Sequence, residues 1–268
     1  MPYRRGWLWV LALLALTFVA FWPGYFSKLP DAASAHHYHA ASAVLWMLLA
    51  IVQSWTAHND RLALHRKTGL AIFVLFPFFL IAGVWVIHVE ATTLASDFTS
   101  VEGRLIAQIG WFDVLANIAF AVLFWAGLKH RYKVHLHARY MLATLLFVIA
   151  PLGFRLLGMT IPFLEPDENF SYAMAGGNLM ALAVALYLYR QAPKHGRPYL
   201  IAAGFIAAQQ IAFETLGRIP ARAPMFASLS DVSLPFLLIL TGLASAGVAW
   251  HGWVAGARPS KPKAALAV

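Results

Sequence analysis

The sequence predicts an all-α fold: a polytopic membrane helical bundle with eight transmembrane helices and both termini in the cytoplasm. Three observations predict it. Of 268 residues, 61% are hydrophobic and only 12% charged, whereas a soluble domain is roughly half apolar and about a quarter charged. The apolar residues fall into eight runs, each near the ~20 residues a helix needs to cross a bilayer. The Lys and Arg residues then alternate from loop to loop along the chain. A soluble globule is excluded for want of polar surface, and disorder by the abundance of Leu, Ala, Phe and Trp. Cysteine is absent, which removes disulfides, thiolate metal sites and cysteine nucleophiles.

The first span, 7–26, follows Arg4 and Arg5. It reads as a retained helix rather than a cleaved signal, because Phe21-Trp22-Pro23 is bulky where a cleavage site would be small. The second, 38–57, opens on His36-His37-Tyr38-His39, and the third, 69–89, ends at His88 with Glu90 just beyond. The fourth, 105–128, carries Gln108, Asp113 and Asn117. The fifth, 139–160, follows His135 and His137 and holds Arg155. The sixth, 172–190, contains Asn178; the seventh, 199–217, contains Gln209, Gln210 and Glu214; the eighth is 233–253. No linker, fixed-period repeat or low-complexity stretch divides them. Residues 1–268 read as a single integral membrane domain, with the first six spans as its core and 199–253 as two additional helices.

Orientation follows from the loops. Arg4, Arg5, Arg61, Arg66, Lys67, Lys129, Arg131, Lys133, Arg139, Arg190, Lys194, Arg197, Arg258, Lys261 and Lys263 share one side, the cytoplasmic one. Lys28, Arg104, Arg218 and Arg222 fall on the other, together with Asp31, Glu90, Asp97, Glu102, Glu165, Asp167, Glu168 and Asp231. The net charge of +9 is therefore a topology signal, and it gives no reason to expect nucleic acid as a partner. The bilayer is the expected partner, with acidic headgroups met incidentally.

Eleven histidines are the chief oddity, and they sort by face. His36, His37, His39 and His88 map outside; His58, His65, His130, His135, His137, His195 and His251 map inside. None maps to mid-membrane, so a histidine proton wire is not expected. On a helix His39, Trp46 and Gln53 recur every seventh place and line one stripe. From His137, helical offsets lead through Met141, Thr144, Val148 and Pro151 to Arg155 on one face. Neutral imidazole is the commonest protein ligand for haem iron, copper and zinc. An interfacial His beside Lys and Arg more often contacts headgroups, which is the plain reading for His58, His130, His195 and His251. An Arg within a span faces the bundle interior, snorkels or meets an anion, and Asp113, Glu90 or a ligand carboxylate are the partners on offer. Gln53, Gln108, Asp113, Asn117, Asn178, Gln210 and Glu214 are intramembrane polar groups, which serve helix packing or line a cavity.

Between residues 39 and 155 these features fall in a recognisable order. His39, Gln53 and Arg61 precede His65-Arg66-x-x-Gly69; then come Gly110-x-Phe112, a basic loop, His137-x-Arg139-x-Met141 and Arg155. This order resembles the bacterial family of membrane proteins labelled domain of unknown function 2306. Ala138 and Tyr140 depart from that family's usual Arg and Trp, and the last two spans lie outside the similarity. The resemblance implies a multi-helix membrane protein of the bacterial inner membrane and assigns no chemistry. The His-Arg-x-x-Gly segment is also similar to haem-binding helical membrane proteins such as haem A synthase.

Three functional expectations result. The first is b-type haem binding or transmembrane electron transfer, with axial pairs His39 with His88 and His65 with His137, and with Arg66 and Arg155 compensating propionates. A quinone or a redox protein would then be the partner. The second is a non-haem iron, copper or zinc enzyme acting on a lipid or quinone, with His36, His37, His39, His88 and Glu90 as its ligands. The third is a transporter or assembly factor using Asp113, Asn117, Arg155 and Glu214 as a polar path; Pro151-Leu152-Gly153 is its only broken-helix signal.

Overall fold

The computed structural model describes residues 3–165 and 167–257, and among these it contains no strand. Arg258, Lys261 and Lys263, assigned by sequence to the cytoplasmic face, lie outside the described residues, as does the side chain of Asp167. The helices are α1 (Gly6–Phe21), α2 (Ser34–His58), α3 (Leu62–Gly69), α4 (Ile72–Ser96) and α5 (Val101–Lys129). They continue as α6 (Val134–Ala143), α7 (Leu146–Thr160), α8 (Phe170–Gln191), α9 (Arg197–Glu214), α10 (Ala223–Ala227) and α11 (Leu234–Ala255).

Among the described residues, seven helical stretches are long and apolar enough to cross a membrane: α2, α4, α5, Val134–Thr160, α8, Arg197–Arg218 and α11. Helix α1 is apolar but has 16 residues, roughly 24 Å at 1.5 Å per residue against a core of ~30 Å. The expected 7–26 helix is cut short at Phe21. Trp22-Pro23-Gly24 follows, and Pro23 brings no N–H to a continuing ladder. In the third expected span, His88 and Glu90 do not end the helix. It runs on to Ser96 because Ala91 and Leu94 extend its apolar face onto Phe226.

The fifth span is two helices. Its ladder is interrupted at Thr144–Leu145, where the Thr144 hydroxyl donates back to Met141 O at 2.6 Å and accepts from Trp46 Nε1 at 3.0 Å. Such back-bonding competes with the helical ladder and bends it. The bend has a topological use: α6 packs on α5 and α9, whereas α7 packs on α8 and α1.

Successive contacts close a ring, α1–α2–α4–α5–α9–α8–α7 and back to α1, with α11 laid outside α4 and α5. One aromatic core fills the α2–α4–α5 side. Phe76 and Phe124 stack with centroids 3.7 Å apart, and the Trp46 ring meets Phe120 edge-on at 4.9 Å. Opposite, α7 and α8 cross at two glycines: a Cβ on Gly153 would stand 2.7 Å from Gly177 Cα. Backbones this close need small residues, the usual means of joining helices where lipid supplies no hydrophobic drive. Large apolar side chains cover the outside, among them Trp9, Val74, Leu179, Ile239, Leu243 and Trp250, as hydrocarbon contact requires.

At the start of α5 the Ser100 hydroxyl accepts from Gly103 N at 2.9 Å, and Asp97 Oδ1 accepts from Thr99 N at 2.7 Å. The Thr99 hydroxyl and the nearby amides hold the Asp97 carboxyl below its ordinary range. Removing the cap by Ser100→Ala is expected to cost about 1 kcal/mol, read as a lowered midpoint in thermal unfolding in detergent. Because the folded-state carboxyl titrates lower, the Asp97 contribution is present above the ordinary carboxylate pKa and is lost as pH falls from there through the lowered folded-state value.

Candidate functional site

Antiparallel helices sort the polar residues into two ends. At the basic end lie Arg4, Arg5, the connections after α2, α5 and α8, and the C-terminal end of α11; the acidic end carries the other connections. Titratable side chains gather toward each end of the bundle.

At the basic end His65 of α3 and His137 of α6 are within range for the charge of one to act on the other. His65 Nδ1–H donates to Gln53 O at 3.2 Å and His137 Nδ1–H donates to Gly127 O at 2.9 Å. A carbonyl only accepts, so each Nδ1 must carry the proton. In the neutral ring, Nε2 then keeps its lone pair. Anchoring one ring nitrogen so as to present the other is how ligating histidines are held in register. The anchors come from the fold. Gln53 Nε2 also donates to Thr68 Oγ1 at 2.7 Å, tying α2 to α3. Gly127 lacks a Cβ where the Met141 sulfur would stand 3.1 Å away, so α6 approaches α5. Arg66 beside His65 is exposed. Arg131, whose charge also reaches His137, donates to Trp253 O at 2.5 Å.

Other basic-end histidines are otherwise engaged. His130 Nδ1–H donates to Ala126 O at 2.8 Å, and His58 Nδ1–H to Ser54 O at 2.7 Å, each within its own helix. His251 Nδ1 accepts from Trp125 Nε1 at 2.8 Å. His135 and His195 stack with centroids 5.2 Å apart, and partial burial followed by the His135 charge holds His195 below the usual imidazole range.

The outer histidines point to separate partners. His37 Nδ1 shares a hydrogen bond with Tyr25 OH at 2.8 Å, and His88 Nε2–H donates to Val232 O at 3.1 Å. His39 lies against the Phe79 ring at 5.3 Å with its Nδ1 buried and unpartnered, and His36 is exposed. Glu90 lies near enough to Asp113 of α5 for the charge of one to act on the other, and its Oε2 is buried without a hydrogen-bond partner. Among the described residues, no three His, Asp or Glu side chains form a group that could hold a metal ion.

The acidic-half grouping is that carboxyl pair together with Arg155 of α7, whose charge acts on Asp113. The guanidinium lies 4.0 Å from the Phe21 ring and 4.3 Å from Phe154, and donates to Pro151 O at 3.0 Å. His137 and Arg155 are 18 residues apart in one span, roughly 27 Å along a helix. A propionate beside His65 and His137 is therefore out of reach of Arg155.

A third polar arrangement runs along α8 and α9. Asn178 Nδ2 donates to Gln210 Oε1 at 2.6 Å, Gln210 Nε2 to Glu214 Oε1 at 3.0 Å, and Arg218 pairs with Glu214 at 2.7 Å and with Ser171 Oγ at 3.0 Å. Gln210→Ala is expected to destabilise by about 1 kcal/mol by leaving Asn178 buried without this acceptor; unfolding in sodium dodecyl sulfate measures it. Gln108 faces Gly217, and Asn117 Nδ2 donates to Asp113 O at 3.0 Å while its Oδ1 sits over Gly83.

Several contacts had no signature in the sequence. The Gln209 Nε2 bond to Phe112 O at 3.1 Å, burial of Arg139 over the Tyr3 ring, and insertion of Phe226 against Gly110 are long-range meetings. No family model, curated protein or solved structure matches the chain. The site therefore stands on its own residues.

Proposed function

We propose that this multi-pass protein crosses the bacterial inner membrane eight times with both termini cytoplasmic, and that it binds a b-type haem at its basic end between His65 and His137. The observation that carries the reading is the pair of imidazoles with both Nδ1 atoms tied to backbone carbonyls and both Nε2 atoms left to ligate. A non-haem iron, copper or zinc site needs more protein ligands than two. A porphyrin brings its own equatorial nitrogens and asks the protein only for axial ones. Two histidines suit the second case. Arg66, exposed beside His65, is suited to a propionate.

Haem held there would supply one-electron chemistry, with a quinone or a redox protein as the exchange partner. The chain's own part is to orient the rings through their Nδ1 anchors. The outer pair His39 and His88 is not included, since His88 Nε2 is engaged at Val232 O.

The absorption spectrum of the purified protein tests haem binding. A Soret band with sharp reduced α-bands is expected; a colourless, metal-free preparation overturns the proposal. Topology is tested separately, and the absence of native cysteine makes the test clean. A single cysteine at Ser27 should react with a membrane-impermeant maleimide from outside, and one at Asn59 only after permeabilisation. Equal labelling of both contradicts eight crossings with a cytoplasmic N-terminus.

A second reading, transport or assembly through an intramembrane polar path, is favoured by the chain from Asn178 through Gln210 and Glu214 to Arg218. It becomes the leading one if the protein carries no pigment.

A further inference from the structure

We propose that the groove between α5 and α11 is a binding site for one anionic phospholipid, with its phosphate at the basic end and an acyl chain along the groove. The inference does not rest on the haem reading, because α11 lies outside the ring of helices.

The groove has a volume of about 480 Å³, and across it Ala121, Val122 and Trp125 of α5 face Ala244, Gly247 and His251 of α11. Ala244 and His251 are seven residues apart, roughly 10 Å along the helix. The shape follows from where α11 touches its neighbours. Toward the basic end it meets α5 closely: a Cβ on Gly256 would stand 2.7 Å from Leu128 O, and one on Gly252 would stand 3.1 Å from Trp125 O. Ten residues before Gly252, Gly242 faces Ile81 of α4 instead. Between these contacts, nothing lies within 4 Å of a Cβ added to Gly247. The space is open, apolar and on the outer surface, where a hydrocarbon chain is the natural filler.

The basic end of the groove chooses the headgroup. Trp125 Nε1–H donates to His251 Nδ1 at 2.8 Å. An indole N–H only donates, so Nδ1 must accept and the imidazole proton sits on Nε2. Among the described residues that Nε2–H has no acceptor. The two rings are parallel to within 4° and joined edge to edge, forming one flat wall. Lys129 Nζ lies 4.8 Å from the centroid of the same Trp125 ring, so an ammonium and a neutral N–H donor share one indole.

No carboxylate answers this charge. Among the described residues the one ion pair is Arg218 with Glu214, at the other end, and Asp60, the one acid in the basic-end connections, follows α2. Arg131 is committed to α11, donating to Trp253 O at 2.5 Å with its guanidinium 4.1 Å from the Trp253 ring. A phosphate accepts from both Lys129 and His251 in charge-assisted bonds. A zwitterionic headgroup brings the same phosphate with a cation of its own, which Lys129 repels. An isoprenoid quinone fits the apolar length but leaves the Lys129 charge unmatched. Charge complementarity selects the anionic phospholipid.

Native mass spectrometry tests the site, using the full chain in detergent with equal amounts of phosphatidylglycerol and phosphatidylcholine of identical acyl chains. Retention of one phosphatidylglycerol per chain, in preference to phosphatidylcholine, is the expected result. Lys129→Gln should cut that preference about fivefold, the share of one basic residue near an anionic headgroup. Gly247→Phe should fill the groove and lower retention of both lipids. Its Cβ meets no protein neighbour, so an unchanged thermal midpoint separates lost binding from lost folding. Inorganic phosphate should leave the lipid in place, since it has no chain for the groove. Equal retention of the two lipids by the unaltered protein overturns the proposal, and that check depends on no variant. Full retention in Gly247→Phe, or release of the lipid by inorganic phosphate, also overturns it. So does release by equimolar decylubiquinone, which would assign the groove to a quinone.

Discussion

His65→Ala and His137→Ala are each expected to abolish the same haem absorption component. The two rings approach from different elements, α3 and α6, and each presents Nε2 only because its Nδ1 proton is spent on a backbone carbonyl, Gln53 O or Gly127 O. If haem is held by these two imidazoles, loss of either would leave it with a single protein ligand and would weaken or abolish its retention. His58→Ala and His130→Ala are the controls. Their rings bond within their own helices, to Ser54 O and Ala126 O, and their loss should leave the spectrum unchanged. Unequal effects of the two principal substitutions would break the pairing, and an effect of His88→Ala as large would move the site to the other face.

Gly177→Val is expected to destabilise the protein strongly by forcing α7 and α8 apart. A Cβ at this position would stand 2.5 Å from Ala150 O and 2.8 Å from Phe154 N. Both are backbone atoms, so no side chain can turn aside, and α7 and α8 must separate. Overpacking in a tight core typically costs about 1–3 kcal/mol, and here it also withdraws α7, which carries Arg155. Gly204→Ala in α9 is the contrast: nothing lies within 4 Å of its added Cβ, and helix propensity makes the change neutral or slightly favourable. Thermal midpoints of the two variants in one detergent decide the matter; equal midpoints would mean that the α7–α8 crossing is not made through this glycine.

Much of the helical framework was legible in the sequence because lipid imposes a simple rule: a run of ~20 apolar residues, with backbone groups satisfied inside the helix. That rule located the runs that become α2, α4, α5, α8, α9 and α11. It was less informative about ends and interruptions. Hydropathy does not register that Pro23 stops α1, or that Thr144 bends the fifth span through a hydroxyl bond to Met141 O. It also underran α4, whose last turns are held by Phe226 of α10, more than 120 residues away in sequence.

The sites divide along the same line. His65 and His137 were nameable as a pair because each opens a span from the same side. What makes them more than interfacial histidines, the carbonyls behind them, depends on backbone that approaches from α2 and α5. Asp113 and Glu90 were both named as candidate partners of Arg155, on the cost of an unpaired guanidinium in lipid. Glu90 had also been grouped with the outer histidines, since a ligand list counts residue types at one depth and cannot see direction. In the folded chain the charges of Glu90 and Asp113 act on one another, and His37 and His88 find Tyr25 and Val232.

The most direct measurement of the central proposal is haem content per chain, by the pyridine haemochrome assay on protein expressed with adequate haem supply. A single histidine pair with both Nε2 atoms available leads to one haem per chain, lost in His65→Ala and His137→Ala alike. A content of zero contradicts haem binding outright. Two haems per chain would contradict confinement of the site to the basic end and bring His39 and His88 back as a second axial pair.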